Sequence, residues 1–312
     1  MRISIAMTTY NGADYLLEQL ESLRTQSLMA DEVIIVDDCS TDNTVDLLNM
    51  YIQKHHLDNW VLIKNSSNIG WRKNFRKALQ ETTGDVVFLC DQDDIWNKDK
   101  ISLMVKEFHK SPSIELLASN YEILDFGRND KVKIKDVELD NGAVVPFSLK
   151  NKSISVMRPG CTFAVKRELI VLLEKYDIDR FGHDNILWNL AMIRGTLYLY
   201  LKRLIHFRRH ETSASAPKQS LNRERRVVEV DTSHQIAVFL LDVARKEHLD
   251  IKIISQLENM AMVLERRRDI LKDGTLMQIV HFQLKYYTYY PTFRNLISDI
   301  LVFLKNNERE EF

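Results

Sequence analysis

The sequence predicts an α/β protein, a mostly parallel sheet flanked by helices, followed by a helical C-terminal region. Three observations carry this. Short apolar runs alternate with amphipathic helical patterns from the start of the chain. Each polar signature capable of chemistry follows one of those apolar runs, and beyond residue 215 the strand-like runs give way to helical spacing. With 312 residues, 45% of them hydrophobic and 28% charged, the chain has room for one large domain and a smaller appendage.

Residues 3–7 form the first candidate strand. Asn11-Gly12 is a turn pair, after which Leu16, Leu20 and Leu23 recur at helical spacing. Residues 33–36 make a second strand, and Ser40 with Thr41 is placed to cap a helix carrying Val45, Leu48 and Ile52. A third strand at 61–63 leads through the loop Asn68-Ile69-Gly70 to a helical face of Phe75, Ala78 and Leu79. The fourth strand, 86–89, ends in Cys90-Asp91-Gln92-Asp93-Asp94-Ile95-Trp96. Further on, residues 180–188 open an apolar helical pattern that runs to Ile193, and a strand is expected at 196–201. Residues 211–218 read as a linker. Ile236, Phe239, Leu240 and Val243, then Ile253, Leu257, Met260 and Leu264, give two helical faces of an appendage. The expected division is residues 1–215, in halves 1–110 and 111–215, and a helical region 216–312.

Composition excludes several classes. A net charge of −1 and a pI near 6.8 leave no nucleic-acid footprint. Three cysteines, Cys39, Cys90 and Cys161, stand far apart without CxxC spacing, which argues against a disulfide framework or a zinc cage and for a reducing cytoplasm. The N-terminus turns polar at Thr8-Thr9-Tyr10, too soon for a secretory apolar core, and no stretch reaches the roughly 18 apolar residues of a spanning helix. No GxGxxG follows the first strand, so a dinucleotide oxidoreductase is not indicated.

The acidic run at 91–94 places three carboxylates where a buried strand should meet solvent. Strand alternation would aim Asp91 and Asp93 the same way, toward one Mg²⁺ or Mn²⁺, and Asp94 elsewhere. The same run also suits a solvated turn or a cap for the next helix. Ligands of open α/β sheets bind beyond the carboxyl ends of the strands, so Thr8-Thr9-Tyr10, Asp37-Asp38 and Asp91-Gln92-Asp93 should converge on one cleft.

Thr8-Thr9-Tyr10-Asn11-Gly12, Asp37-Asp38-Cys39-Ser40-Thr41-Asp42 and Asp91-Gln92-Asp93-Asp94-Ile95-Trp96 together resemble the family 2 glycosyltransferases, inverting enzymes of the Rossmann-like GT-A fold, and their rhamnosyltransferase-like branch in particular. The resemblance implies that Thr8, Tyr10 and Asp38 contact the nucleoside of a sugar-nucleotide donor, with Asp38 accepting a hydrogen bond from a base imide. It implies that Asn68, Gly70 and Arg72 face the diphosphate, where Gly70 permits close backbone approach and Arg72 neutralises charge. It makes Asp91 and Gln92 donor contacts and Asp93 the ligand of a divalent metal, Mn²⁺ or Mg²⁺, with His210 of Phe207-Arg208-Arg209-His210 completing the metal shell. His183-Asp184 resembles the motif that supplies the catalytic carboxylate, so Asp184 is the expected base, at a helix start that favours a carboxylate. Gly160 and Cys161, with His183 and Trp188, would line the acceptor side.

The implied partners are a dTDP- or UDP-linked hexose or deoxyhexose and a bacterial surface polysaccharide or lipid-linked oligosaccharide, such as capsule or O-antigen. From Lys202 to Arg226 lysine and arginine outnumber acids eight to two, a basic stretch suited to diphosphate or an anionic membrane. The tyrosine-rich segment 282–291, followed by Leu296, Ile297, Ile300, Leu301 and Leu304, suits a membrane interface on the cytoplasmic side, core packing or a homodimer contact. Two other classes fit some residues. A non-catalytic sugar-nucleotide binding protein would keep the fold, and a Mg-dependent phosphatase-like hydrolase also uses Asp-x-Asp at a strand end.

Overall fold

The computed structural model describes residues 1–125, 140–149, 154–176, 180–209 and 222–307. The chain divides into two compact units, one of Met1–Phe147 with Met157–Ala216 and one of Ser148–Val156 with Pro217–Phe312.

The first unit is built on a sheet of nine strands among the described residues. The first half supplies β1 (Ile3–Thr9), α1 (Ala13–Arg24), β2 (Glu32–Asp37), α2 (Thr44–Lys54), β3 (Trp60–Lys64), α3 (Trp71–Glu81), β4 (Val86–Cys90), β5 (Ile95–Trp96) and α4 (Lys100–Lys110). The remainder adds β6 (Leu116–Asp125), β7 (Val144–Pro146), β8 (Phe163–Lys166), α5 (Arg167–Lys175), α6 (His183–Ile193) and β9 (Leu197–Arg209). Strand order is β3-β2-β1-β4-β8-β6-β9-β5, with β7 paired to β9. The first four strands run parallel, whereas β8 is antiparallel to both β4 and β6. β9 is longer than the strand expected at 196–201, and it carries Ile205 to Arg209 in the same extended run.

Alternation along the strands decides which side each helix covers. Ile3, Ile5 and Met7 of β1 join Leu16, Leu20 and Leu23 of α1, Leu48 of α2 and Ile101, Met104 and Phe108 of α4 in one buried cluster. Each such side chain contributes about 2 kcal/mol by leaving water. α3 packs against β1 and β2 and touches α6, which in turn lies against α5, β6 and β9.

One helix start differs from expectation. Ser40 and Thr41 do not cap α2. Ser40 is held by Asp37 and Thr41 by Asn11, while Asp42 Oδ1 accepts from Thr44 N at 3.0 Å. The loops after β1 and β2 both turn through a left-handed residue, Asn11 at φ 47° and Cys39 at φ 62°, a conformation that asparagine tolerates better than cysteine.

The second unit contains α7 (Arg223–Lys246), α8 (Ile251–Asp273), α9 (Leu276–Tyr286) and α10 (Phe293–Asn307). Its interior holds an ionic cluster. Asp299 is fully buried and accepts from Arg226 Nε at 2.6 Å, Arg267 Nε at 2.7 Å and the Tyr290 hydroxyl at 2.8 Å. Among the described residues no helix is long and apolar enough to cross a membrane.

Candidate active site

Parallel strands deliver their following loops to one edge of the sheet, and here those loops are tied to each other. Thr9 Oγ1 donates to Asp37 Oδ2 at 2.9 Å, joining the ends of β1 and β2. The Gln92 amide brackets Tyr10: Tyr10 N donates to Gln92 Oε1 at 2.8 Å, and Gln92 Nε2 donates to Tyr10 O at 3.1 Å. A side chain on Gly12 would put Cβ 2.2 Å from Gln92 Oε1, so this bracket closes only over glycine. Gln92, expected to meet a donor, therefore serves as a clip between the β1 and β4 loops. Thr8 is half-buried beside it and Tyr10 is exposed.

Asp38 has partners of its own within the chain. It is 2% exposed and accepts from Asn65 Nδ2 (3.0 Å), Ile69 N (2.8 Å) and Gly70 N (2.9 Å). These bonds hold the loop 68–70 against the end of β2. In that loop Asn68 Oδ1 accepts from Gly70 N at 3.1 Å. Gly70 adopts φ 84°, ψ 148° just before α3, a region open essentially to glycine alone. Arg72 follows on the exposed first turn of α3, its guanidinium 4.9 Å over the Trp71 ring.

Strand β4 stops at Cys90, so the alternation that would pair Asp91 with Asp93 does not extend into the acidic run, which is a turn. What gathers instead is Asp91, Asp94 and Cys161, whose ligand atoms all lie within 4.8 Å of one another. Asp94, expected to point away, is fully buried, while Asp93 stands outside this group. Cys161, expected on the acceptor side, is fully buried beside the two carboxyls. Burial, followed by the charges of Asp94, Asp93 and Asp184, holds the Asp91 carboxyl well above the usual carboxylate range. Burial and the Asp93 charge push Asp94 up to about 7, against hydrogen bonds from Cys161 and the Arg208 N–H. Asp94 Oδ2 is buried without a hydrogen-bond partner. Two crowded carboxyls, one with an unanswered oxygen, suit a divalent cation, which would relieve their repulsion.

Two basic residues organise this turn: Lys100, which no motif marks, and Arg208, which the sequence marks only as a neighbour of His210. Lys100 is fully buried; its Nζ donates to Cys161 O at 2.8 Å and lies 3.4 Å from the Trp96 ring centroid. Burial pushes its pKa down to about 7. The signal was present, since Lys100 stands four and eight residues before the buried Met104 and Phe108 and so belongs to the inner face of α4. Arg208 is 5% exposed; its backbone N–H donates to Asp94 Oδ1 at 3.1 Å, its Nε to Asp93 O at 2.9 Å, and its Nη2 pairs with Glu18. His210 lies outside the described residues.

The opposite wall comes from α6. Asp184 occupies its first turn, half-buried, between two glycines. A Cβ on Gly182 would stand 2.5 Å from Asp184 Oδ1 and 3.0 Å from Trp71 Cη2, and one on Gly160 would stand 3.0 Å from Asp184 Cβ. Gly160 thus belongs beside the carboxylate, whereas Gly182 carried no expectation. His183 is buried, stacked on Phe75 at 3.9 Å and edge-on to Trp71 at 6.0 Å. Burial pushes its pKa down to about 4, which keeps it neutral. It positions α6 against α3 rather than facing an acceptor. Trp188, one helical turn beyond Asp184, is fully buried between Phe147 and Phe163, so it is core and not acceptor wall.

A sheet whose loops converge on an acidic turn after the fourth strand, facing a carboxylate at a helix start, defines a sugar-transferring enzyme of the GT-A class. The chain belongs to glycosyl transferase family 2, whose model matches residues 4–170, and it is a glycosyltransferase. It is 29% identical over 218 residues to TuaG of Bacillus subtilis (strain 168), named for teichuronic acid biosynthesis, covering 69% of this chain and 82% of TuaG. It is 26% identical over 218 residues to the dTDP-rhamnosyl transferase RfbG of Shigella flexneri, covering 66% and 72%. The fold is shared with S. aureus TarS residues 1–349, at TM-score 0.62, 17% identity and 99% and 92% coverage. It is also shared with the mannosyltransferase PcManGT of Pyrobaculum calidifontis, solved with GDP-Man and Mn²⁺, at TM-score 0.51, 17% identity and 98% and 87% coverage.

Proposed function

We propose that this glycosyltransferase moves a hexose or deoxyhexose from a dTDP- or UDP-linked donor to a hydroxyl of a bacterial surface polysaccharide, with inversion and with a divalent metal. The observation that carries the reading is the pairing of Asp184 with the acidic turn. Asp184 is near enough for its charge to raise the Asp91 carboxyl, and two glycines leave room around it. Asp184 accepts the proton of the acceptor hydroxyl as that oxygen attacks C1. The C1–oxygen bond to the diphosphate breaks in the same displacement, and the nucleoside diphosphate departs with the bonding pair. A single displacement without a covalent enzyme intermediate inverts the anomeric carbon.

Mn²⁺ or Mg²⁺ bound at the turn supplies Lewis-acid stabilisation of the charge on the leaving diphosphate. Its candidate holders are Asp91 and Asp94, favoured by their geometry, and Asp93 and His210, carried by the family resemblance. Thr8, Tyr10, Asn68 and Arg72 border the donor side in this reading, with Arg72 free to swing from Trp71 toward a phosphate. The dTDP-rhamnosyl name of RfbG, the UDP-GlcNAc complex of TarS and the polymer named for TuaG support the donor and acceptor classes.

Two measurements test it. In a thermal-shift panel of UDP-, dTDP- and GDP-sugars with and without Mn²⁺, a metal-dependent stabilisation by one nucleotide class is expected; no shift with any donor contradicts the reading. Asp184→Asn should lower transfer by about 10²–10⁴-fold while the donor-induced shift persists, and wild-type turnover in that variant would refute the base assignment.

A further inference from the structure

Beside the candidate base stands an aromatic ring that the transfer chemistry does not use. Trp71 opens α3 and is 48% exposed, whereas the other three tryptophans, Trp60, Trp96 and Trp188, are buried. A Cβ built on Gly182 would stand 2.5 Å from Asp184 Oδ1 and 3.0 and 3.4 Å from Trp71 Cη2 and Cζ3, so the benzo edge of the indole and the carboxylate oxygen flank one point. Only the missing side chain of Gly182 separates them.

The ring is held in place. Its edge meets His183 at 6.0 Å, and His183 is buried and stacked on Phe75 at 3.9 Å, so α3 and α6 fix the indole between them. The Arg72 guanidinium lies 4.9 Å from the ring centroid, and close to half of the tryptophan still faces solvent. A fixed and exposed indole gives up its own burial and loses little freedom when a ligand covers it, which is the property of an aromatic anchor.

Position decides what it anchors. A hydroxyl that gives its proton to Asp184 must come within about 3 Å of a carboxylate oxygen, so the group that bears it lies against the benzo edge of Trp71. The diphosphate leaves from the far side of C1, which makes the ligand beside Asp184 the acceptor. A pyranose gathers C–H bonds on one face and turns its hydroxyls to the rim, and that apolar face matches an indole. An open-chain polyol has no such face.

We propose that Trp71 is the stacking platform for a pyranose of the acceptor, which makes the acceptor a ring sugar and not an open-chain polyol. The proposal rests on Asp184 as the base. Trp71 is the one exposed tryptophan, so acrylamide quenching of the full chain's fluorescence reads it directly. The ligands are the methyl pyranosides of glucose, galactose, rhamnose and N-acetylglucosamine, with ribitol as the open-chain control. At least one pyranoside should protect Trp71 from acrylamide, and ribitol should not. In calorimetry Trp71→Ala should weaken that pyranoside about tenfold at unchanged melting temperature, and Trp71→Phe, which keeps an aromatic face, should retain it. No protection by any pyranoside, equal protection by ribitol, or wild-type affinity in Trp71→Ala overturns the proposal. Protection by UDP or dTDP alone also overturns it, since the ring then belongs to the donor side. Failure of the transferase reading shows elsewhere, as a missing donor-induced thermal shift.

Discussion

Adjacent residues in the first turn of α6 take opposite fates. Asp184 keeps open space because Gly160 and Gly182 present no side chain to it, and Gly182→Ala should therefore damage catalysis more than stability. At φ −63° and ψ 143° alanine is conformationally acceptable at position 182, so the cost is the contact of its Cβ with Asp184 Oδ1. A fall in kcat well above the shift in melting temperature is the expected result, and an unchanged kcat would show that Asp184 has slack. His183 lies behind Trp71 and stacks on Phe75, with its pKa pushed down to about 4 against an ordinary 6.5. The unfolded chain takes up a proton near 6.5 and the folded chain only near 4, so this residue's contribution is full above pH 6.5 and is lost as pH falls. The loss is on the order of 3 kcal/mol across that window. Urea unfolding at pH 7 and pH 5 should show a smaller difference in His183→Phe than in wild type; an equal difference would mean that another group carries the acid sensitivity.

At the scale of elements, the loop ends do more holding than binding. The motifs make Asp38 and Gln92 ligand contacts, and the structure adds that Asp38 accepts from Asn65 and the loop 68–70 while Gln92 exchanges hydrogen bonds with the Tyr10 backbone. Sequence pattern locates such residues at the site without telling whether they face into it. The acidic run shows the same limit. Its position after the fourth strand was legible, but the strand ends at Cys90 and a turn replaces alternation, so Asp94 rather than Asp93 closes on Asp91. Gly70 is the opposite case, a glycine whose need is written in its backbone. With nothing within 4 Å of a built Cβ, Gly70→Ala should cost about 1–3 kcal/mol purely from φ and ψ, measurable by chemical denaturation. A neutral result would mean that the loop turns another way. Arg208 joins β9 to the turn through Asp93 O and to α1 through Glu18, and Arg208→Met should loosen that turn. Weaker Mn²⁺ binding by calorimetry with the fold retained is expected, whereas wild-type affinity would separate the strand from the metal site.

Across the whole molecule, the two units differ in what their interiors hold besides apolar side chains. Both bury apolar side chains, the first on both faces of its sheet, but the second adds to its apolar interior an Asp299 enclosed between two arginines. Asp299→Ala leaves the buried Arg267 guanidinium without its carboxylate, and Arg226 with Glu229 and Asn295 O alone, and should cost about 3–5 kcal/mol, read as an earlier urea transition; a loss below that range would mean that water reaches the cluster. By itself the sequence determined the family, the order of strands and helices in the first hundred residues, the loops that meet at the sheet edge and the candidate base. Hydrophobic periodicity and motif spacing are local, and parallel strands send successive loops to one edge. Only the tertiary structure decided which side chains face the site, that Trp188 and His183 belong to packing, that Lys100 and Cys161 underlie the acidic turn, and that β8 inserts between β4 and β6. Those outcomes depend on contacts between residues far apart in the chain, where direction, burial and the competition of backbone groups for a carboxylate are settled by packing rather than by spacing.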